Sequence, residues 1–337
     1  MSIKLSFCIP TYNRGQYIGE TLESIISQAT DDIEIVIVDG ASTDNTSEVV
    51  LSFRERFPNL VYHRGTSNMG VDRDMAMAVE LAQGQYCWLM SSDDVIKSGA
   101  VKLILEEIAH GYQIYLCNRI DCDSLLIPFK NTYWLSSHPV KDVFNLANKA
   151  ELIEYFNSAN SIGALFSFMS SIIFERKSWN AIEYNSNFNG SGYAHVFRLL
   201  SFIKKQCILR YIVTPIVYCR LDNDSFRHIG IMNRYLMDIN GYLRLADLLF
   251  PAHDNIKAAF LKVMTREHLW YRLVKLRSAV QFPERWKELN VKLLRFGYNK
   301  TTLDLCNFLG RFSLIVNVLL NINRLSKKLR MSLRLKV

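Results

Sequence analysis

Residues 84–99 read GQYCWLMSSDDVIKSG, and this order of apolar and polar residues indicates how the chain folds. The apolar run at 86–90 is short, aromatic and bounded by glycine, which is typical of a buried strand. It stops at two serines followed by Asp93 and Asp94, so the strand would present paired carboxylates at the end where α/β sheets hold ligands and metals. Alternatively, the two aspartates cap the helix that apolar spacing predicts after residue 100.

The composition is that of a globular chain of 337 residues, 49% hydrophobic and 21% charged, which excludes a disordered protein. Forty Lys and Arg against 32 Asp and Glu give a formal net charge of +8, which favours anionic partners. We expect no nucleic acid among them, because the basic residues gather in the C-terminal stretch without a groove-binding motif. We expect no signal peptide and no ordinary transmembrane helix. Seven scattered cysteines without a CxxC pair are typical of a cytosolic protein.

Strand and helix patterns alternate along the N-terminal half. We predict strands at 5–9, 33–38 and 60–63 with amphipathic helices between them, followed by the strand at 86–90. This order predicts an α/β fold, a Rossmann-like and mostly parallel sheet flanked by helices. Such sheets bind ligands at the C-terminal ends of their strands.

Polar residues that suit a nucleotide follow each predicted strand. Asp39 can accept hydrogen bonds from a base or a ribose, or it is a turn aspartate before Gly40. Gly70 would let the backbone pass close to a ligand, and Arg73 could face a diphosphate. The predicted nucleotide-sugar-binding set is Pro10, Thr11, Tyr12, Asn13, Arg14, Asp39, Ser42, Asn68, Gly70, Arg73, Ser91, Ser92 and Asp93. Helix initiation and solvated charge are the structural alternatives for the residues at 11–14.

Four motifs together resemble family 2 glycosyltransferases of the GT-A fold. They are CIPTYNR at 8–14, IVDGASTDNT at 37–46, NMG at 68–70 and SSDDVIKSGA at 91–100. They occur in the family's order and spacing. Within the family, the second and third motifs and CNRIDCDS at 117–124 are similar to those of bacterial O-antigen abequosyltransferases, which use a CDP-linked dideoxyhexose.

The resemblance implies roles for individual residues. Thr11 and Asp39 fall where the family holds the nucleotide base and ribose. Asp93 falls on the second aspartate of the DxD motif, which helps to bind Mn²⁺ or Mg²⁺ against the donor diphosphate. Asp94 matches the acidic neighbour that completes the metal or sugar site, and is a candidate catalytic residue. Ser91 replaces the first DxD aspartate, so one metal ligand would be a hydroxyl.

The family's catalytic base is missing from its usual position. Family 2 enzymes carry a Glu-Asp pair before the helix that we predict at 193–204, whereas this chain has NGSGYAHVFRLL at 189–200. His195 is the nearest titratable residue and the candidate base, although a histidine there is often a packed residue. The other candidates are Asp121, Asp123, Asp222 and Asp224.

Two later segments resemble acceptor-side parts of the family. The predicted strand at 168–175 corresponds to the acceptor pocket, so Ser170 and Ser171 are predicted to face the acceptor sugar. Trp134 and Trp179 are candidates to stack on a sugar ring, or are core residues. The loop after the predicted strand at 208–221 resembles one that closes over the diphosphate. It makes Arg220 and Arg227 predicted phosphate contacts.

The predicted domains are a GT-A catalytic domain, a helical subdomain and a basic tail, at 1–225, 226–307 and 308–337. The first divides into a nucleotide-sugar half at 1–120 and an acceptor half at 121–225. The tail begins with an apolar run at 308–322 and continues with six Lys and Arg between 324 and 337. This pattern is typical of an interfacial anchor on an anionic membrane, or of a solvated helix end. We expect a peripheral protein on the cytoplasmic face of the cell membrane.

The resemblance implies transfer of a hexose or deoxyhexose from a nucleotide diphosphate sugar to a lipid-linked saccharide, in O-antigen or related surface polysaccharide synthesis. CDP-abequose is the donor implied by the narrower resemblance, and a divalent cation is the implied cofactor. Two alternatives stay open. One is another family 2 hexosyl- or rhamnosyltransferase of polysaccharide assembly. The other is a homologue that binds sugar nucleotides without catalysis, for which the missing Glu-Asp pair is the argument.

Overall fold

The computed structural model describes residues 2–136, 141–221, 223, 226, 229–250, 255–279 and 283–312. Within these ranges, ten strands form one sheet and α-helices cover both of its faces. The α/β prediction is confirmed. No helix in these ranges is both long and apolar enough to cross a membrane.

The N-terminal half has the predicted alternation of strands and helices. Its elements are β1 (Leu5–Thr11), α1 (Ile18–Ile26), β2 (Ile33–Asp39), α2 (Thr46–Arg54), β3 (Leu60–Arg64), α3 (Val71–Leu81) and β4 (Tyr86–Leu89). The four strands pair in parallel in the order β3-β2-β1-β4. Their C-terminal ends therefore lie along one edge of the sheet, as the βαβ pattern requires.

β1 continues through Pro10, although proline is unusual inside a central strand. The carbonyl of Cys8 accepts from Met90 on the β4 side, and that of Thr11 accepts from Gly40 on the β2 side. Pro10 therefore faces the β4 side, where the last β1–β4 residue pair is Cys8 with Leu89. Its missing N–H falls beyond that pairing and leaves no ladder bond unmade.

The second half completes the sheet with mixed pairing. Its elements are β5 (Val95–Ile96), α4 (Ala100–Ile108), β6 (Ile114–Cys122), β7 (Pro128–Thr132), β8 (Val143–Asn145), α5 (Lys149–Ser158), β9 (Ile172–Glu175), α6 (Arg176–Asn180), α7 (Ala194–Ser201) and β10 (Ile208–Arg220). β9 lies antiparallel between β4 and β6, and β6 pairs in parallel with β10. β5 and β8 pair with β10, and β7 pairs with β6.

Three local predictions differ from the structure. The strand predicted at 168–175 begins at Ile172, because Met169–Ser171 form a 3₁₀ turn. The helix predicted at 193–204 ends at Ser201 and continues as a second 3₁₀ turn. The capping alternative for Asp93 and Asp94 is wrong, because α4 begins after Gly99 (φ 81°) without a side-chain cap. The two carboxylates are thereby left for the sheet edge.

The C-terminal region is helical, as predicted. Its helices are α8 (Ile231–Leu249), α9 (Asn255–Glu267), α10 (Trp270–Ala279), α11 (Pro283–Arg295) and α12 (Lys300–Gly310). Buried residues of these helices share one hydrophobic core with α3, α5, α7 and one face of the sheet. A second core under α1, α2 and α4 covers the other face. The predicted division into 1–225 and 226–307 stays a prediction, and residues 313–337 of the predicted tail lie outside the described ranges.

Candidate active site

A cleft of about 400 Å³ lies between the C-terminal end of β4 and the helical region. The segment after β4, the end of β10 and β6 form one side, whereas α8 and the end of α9 contribute the other. The polar and charged side chains lining it are Ser91, Asp93, Asp94, Arg119, Ser161, Ser167, Arg220, Asn223, Arg234, Asp238 and Glu267. The strand-end carboxylates predicted from the sequence therefore face carboxylates from the helices.

Asp93 carries hydrogen bonds on both carboxylate oxygens. The Ser91 hydroxyl donates to Oδ1, and the Asn223 amide donates to Oδ2 at 2.6 Å. All three residues line the cleft. Asp93 and Ser91 thus form a compact set of oxygen donors at the end of β4, which is the ligand type that Mn²⁺ and Mg²⁺ accept.

Asp94 lies deeper than Asp93 and is only 2% exposed. The Ser170 hydroxyl donates to its Oδ2 at 2.6 Å, and the backbone N–H of Arg220 donates to its Oδ1 at 3.2 Å. Burial and the neighbouring charge of Asp93 raise the pKa of Asp94 to about 7. The hydrogen bonds of Asp94 therefore join the ends of β4 and β10 to the segment before β9.

The two serines predicted to face the acceptor are both fully buried. Ser170 bonds to Asp94, and Ser171 accepts a hydrogen bond from the Trp134 indole N–H at 3.0 Å. The structure does not support contact of either hydroxyl with an acceptor. Trp134 itself lines the cleft, whereas Trp179 is stacked on Phe174 in the core.

Arg220 lines the cleft, but its guanidinium is occupied by protein groups. It forms an ion pair with Glu20, donates to the Ser124 carbonyl, and donates through Nε to the Asp93 carbonyl at 3.3 Å. It also stacks over Tyr17, with 5.0 Å between Cζ and the ring centroid. Arg220 is therefore placed to fix the segment carrying Asp93. Arg227, the other predicted phosphate contact, lies outside the described residues.

The loops after β1 and β2 are hydrogen-bonded to each other. The Asn13 N–H donates to Ser42 Oγ at 2.8 Å, and the Arg14 N–H donates to Thr46 Oγ1 at 2.9 Å. Asn13 Oδ1 accepts from the Thr43 N–H at 2.8 Å. Asn13 and Ser42 thus hold the two strand ends together, which was not anticipated from their predicted donor roles.

Asp39 is fully buried at the end of β2. Its Oδ1 accepts from the Ser42 N–H at 2.8 Å, and its Oδ2 accepts from the Tyr62 hydroxyl at 2.6 Å. Burial and this bond to Asp39 raise the pKa of Tyr62 to about 12. The turn bond to Ser42 is the structural alternative considered for Asp39, and the carboxylate still lies at the predicted edge.

Polar groups converge around Gly40, immediately after β2. A Cβ atom built there would lie 2.8 Å from Asp74 Oδ2 and 3.4 Å from Asn68 Oδ1, so both side chains reach this position. Burial and the charge of Asp39 raise the pKa of Asp74 to about 6. At the end of the neighbouring β1, the Thr11 hydroxyl is buried without a partner in the described structure. An unpaired buried hydroxyl is a polar group that a ligand can satisfy.

The remaining predicted donor contacts differ in accessibility. Tyr12 is 43% exposed just beyond β1, whereas Pro10 is buried in the strand and Ser92 is buried after β4. Gly70 has φ 85° at the start of α3, where its N–H donates to Asn68 Oδ1 at 2.9 Å. Arg73 does not line the cleft. Its guanidinium pairs with Glu80 of the same helix, α3, at 3.0 Å.

His195 lies inside the protein and not in the cleft lining. Its Nε2 is 2.9 Å from the Phe166 carbonyl, and its Nδ1 has no partner in the described structure. Burial lowers the pKa of His195 to about 4, so the imidazole is a weak base. This placement does not support the predicted catalytic role of His195.

The other carboxylates predicted as candidate bases are bonded to protein groups or lie outside the described residues. Asp121 bonds to Arg119 and Thr132, and Asp123 accepts backbone N–H groups of its own turn. Neither carboxylate lines the cleft. Asp222 and Asp224 lie outside the described residues. Of the carboxylates that the sequence offered as candidate catalytic residues, Asp94 is the one that lines the cleft in the described structure.

Comparison with known proteins decides the family. Residues 6–198 match the model of the family described as Glycosyl transferase family 2. The chain belongs to glycosyltransferase family 2. This confirms the resemblance carried by the four N-terminal motifs, and it makes the protein a glycosyltransferase.

Relatives extend this assignment beyond the matched residues. The chain is 34% identical to abequosyltransferase RfbV of Salmonella typhimurium over 332 residues, which are 96% of this chain and 99% of RfbV. The structure of S. aureus TarS 1-349 in complex with UDP has a TM-score of 0.62 at 18% identity and covers 87% of this chain and 80% of that one. Mannosyltransferase PcManGT from Pyrobaculum calidifontis, in complex with GDP-Man and Mn²⁺, has a TM-score of 0.53 at 15% identity, with 94% and 87% covered. The two structures confirm the fold class.

The candidate residues for holding a divalent cation are the oxygen-bearing side chains after β4. In the described residues, no group of three or more His, Cys, Asp or Glu side chains could hold a metal ion alone. Asp93 and Ser91 nevertheless offer adjacent oxygen atoms in the cleft. Mg²⁺-type ions in phosphate chemistry usually take one or two carboxylates and complete their shell with phosphate and water oxygens.

Several residues of the candidate site were not predicted from the sequence. Asp74 lies in the first turn of α3, and only the tertiary fold brings it beside Asp39. Arg119 belongs to the sequence motif CNRIDCDS at 117–124. In the structure it lines the cleft, and its Cζ atom lies 4.5 Å from the centroid of the Phe168 ring. Asp238 and Glu267 lie in helices whose periodicity carried no functional signal.

We expect Asp74→Asn to stabilise the unliganded protein most strongly above pH 6. The folded-state pKa of Asp74, about 6, exceeds that of an unfolded aspartate, so stability falls as pH rises between the two values. An amide does not titrate, so the variant should gain about 1–3 kcal/mol at pH 7.5 and less at pH 5. Urea unfolding at both pH values measures this. Asp304→Asn makes the same change on the exposed side of α12, and an equal gain from Asp74→Asn at both pH values would contradict the account.

Proposed function

We propose that this glycosyltransferase transfers a hexose or deoxyhexose from a nucleotide diphosphate sugar to a lipid-linked saccharide, with CDP-abequose as the first donor to test. The observation that carries the proposal is the 34% identity to RfbV over 96% of this chain. That similarity covers nearly the whole chain, so it includes the acceptor half and the helical region as well as the matched family motifs. O-antigen or a related surface polysaccharide is the proposed product class.

The donor nucleotide is proposed to bind across the ends of β1 and β2. Thr11 offers an unpaired buried hydroxyl, and Asp74 offers a carboxylate oxygen near Gly40, beside the buried Asp39. Tyr12 is exposed beside them and offers an aromatic face to a base. The diphosphate would then extend toward Ser91 and Asp93, because the β4 end adjoins β1 in the sheet.

A divalent cation, Mn²⁺ or Mg²⁺, is proposed to be held by Asp93 and Ser91 together with the donor diphosphate. When bound, it would neutralise the charge that develops on the leaving nucleoside diphosphate. The protein's own contribution is to orient these oxygens: Asn223 bonds to Asp93, and Arg220 holds its backbone carbonyl. Transfer with inversion, as in the family that the motifs resemble, further needs a base for the acceptor hydroxyl.

A melting-temperature panel with CDP, UDP, GDP and dTDP, each with and without Mn²⁺, tests the donor proposal. We expect CDP to raise the melting temperature by a few degrees, and Mn²⁺ to enlarge the shift. Asp93→Asn should remove the metal-dependent part, because it replaces an anionic ligand with a neutral amide. Asp304→Asn, far along α12, is the matched control.

Each outcome of that panel has a separate meaning. A larger shift with another nucleotide would overturn the CDP-abequose donor and leave the alternative of a different family 2 hexosyl- or rhamnosyltransferase. Absence of any shift at millimolar nucleotide would contradict the donor site itself. Binding without transfer to any acceptor would favour the alternative of an inactive sugar-nucleotide-binding homologue.

Membrane association is proposed from the C-terminal helices and the tail sequence. Exposed apolar side chains are present on α10 and α12, among them Trp270 at 53% and Phe308 at 56% exposure. The two helices contact each other, with Cys306 Sγ 3.5 Å from the Trp270 carbonyl. Tryptophan and phenylalanine favour the membrane interface, and the basic residues after 324 favour anionic lipids. A lipid-linked acceptor would lie on the same surface, which we propose to be the cytoplasmic face of the cell membrane.

Truncation after Phe312 tests this association while keeping α12 intact. We expect the full chain to sediment with vesicles containing anionic lipid and the truncated chain to remain in the supernatant, because the tail's charge is lost. Replacing the six basic residues by glutamine in the full chain should weaken binding similarly; they are Arg324, Lys327, Lys328, Arg330, Arg334 and Lys336. Unchanged binding of both variants to these vesicles would contradict the proposal, and vesicles of neutral lipid are the control.

A further inference from the structure

The acceptor hydroxyl must lose a proton when it attacks the donor sugar, and the segment before α7 supplies no carboxylate for this. Residues 189–193 read NGSGY. His195 is buried, bonded to a backbone carbonyl and outside the cleft lining. A carboxylate at the start of α7 would therefore have to come from another element.

Helix α8 packs directly on the residue that precedes α7. That residue, Tyr193, is 4% exposed, and its ring lies against Gly241 of α8. A Cβ at position 241 would lie only 2.5 Å from Tyr193 Cδ2, so glycine permits this close approach. One helical turn earlier on α8, Asp238 accepts a hydrogen bond from the Tyr193 hydroxyl. The residue that precedes α7 is thus hydrogen-bonded to a carboxylate of α8.

Asp238 has the surroundings of a functional carboxylate. It lines the cleft that also contains Asp93 and Asp94, and it is 7% exposed. The Tyr193 hydroxyl and Arg234 Nη1 both bond to its Oδ1, and in the described structure no donor bonds to its Oδ2. One oxygen therefore orients the carboxylate, and the other remains available to a hydroxyl in the cleft.

The other cleft carboxylates are less suited to accept a proton from an acceptor. Asp94 is bonded on both oxygens, to Ser170 and to the Arg220 backbone. Glu267 lies at the end of α9, where Arg272 bonds to both its side chain at 3.0 Å and its backbone carbonyl at 2.9 Å. Asp93 is the proposed metal ligand. Asp72 also bonds to the start of α7, through the Gly192 and Ala194 N–H groups, but it does not line the cleft. Among the described carboxylates, Asp238 therefore combines a place in the cleft lining with contact to the start of α7.

We propose that Asp238 is the catalytic base of the transfer, replacing the Glu-Asp pair that this chain lacks. This inference rests on the proposed function. The acceptor O–H proton moves to Asp238 Oδ2 while the acceptor oxygen forms a bond to the anomeric carbon of the donor. The bond from that carbon to the diphosphate oxygen breaks, and its electron pair leaves with the nucleoside diphosphate. Tyr193 and Arg234 are positioning residues that hold the carboxylate.

Asp238→Asn is the direct test, because it keeps the shape of the side chain and removes the proton acceptor. With the nucleotide sugar and acceptor that the wild type uses, we expect kcat to fall by about 10²–10⁴-fold. The nucleotide-induced rise in melting temperature should be unchanged, because the donor site is formed by other residues. Asp247→Asn, the same change on the exposed side of α8, is the control and should keep wild-type kcat.

The outcomes separate this inference from the proposed function. Retention of more than a tenth of wild-type kcat by Asp238→Asn overturns the inference, as does a large loss with Glu267→Gln instead. Failure of the wild type to bind any nucleotide or to transfer from any sugar nucleotide overturns the proposed function first. If Asp238→Asn does not fold, Asp238→Ala combined with Arg234→Ala removes both members of the ion pair. Transfer by that folded double variant at more than a tenth of the rate of Arg234→Ala alone would also overturn the inference.

Discussion

The candidate site depends on the hydrogen bonds that the Asp94 carboxylate accepts. It accepts hydrogen bonds from Ser170, which precedes β9, and from the backbone of Arg220 at the end of β10. Three strand ends are thereby tied together beneath the cleft, and Asp93 is left at its surface. An unsatisfied buried polar group costs about 1–3 kcal/mol, so each of these bonds constrains its neighbours. The same burial that raises the pKa of Asp94 makes it a structural centre rather than an exposed reactant.

The opposite wall of the cleft comes from helices outside the family-matched residues 6–198. Asp238 on α8 and Glu267 on α9 face the strand-end site across the cleft. Their helices share a core with the sheet, so the two walls are held by common packing. The donor site that we propose lies at the sheet edge, and the helices form the wall that we propose to face the acceptor.

The sequence carried enough information for the fold and for the polar strand ends where we propose the donor site. Strand periodicity identified β1 to β4, and the change from apolar to acidic after Met90 located Asp93 and Asp94. It could not assign His195, because helical spacing alone did not tell which face of α7 is buried. It could not find Asp238 as a candidate base. The proposal for Asp238 depends on the packing of Tyr193 against Gly241, and these two residues are more than forty positions apart in the sequence. Arg73 pairs with Glu80 of the same helix, and its contact with a diphosphate stays a prediction.

We propose that the donor, the metal and the catalytic base converge in one cleft between the sheet edge and α8. A crystal structure of the full chain with CDP and Mn²⁺ tests it most directly. We expect Mn²⁺ within about 2.3 Å of an Asp93 oxygen, and the cytosine ring of CDP beside Thr11 and Asp39. We also expect Asp238 across the cleft from the diphosphate. A nucleotide bound away from the ends of β1 and β2, or Mn²⁺ held without Asp93, would contradict the account.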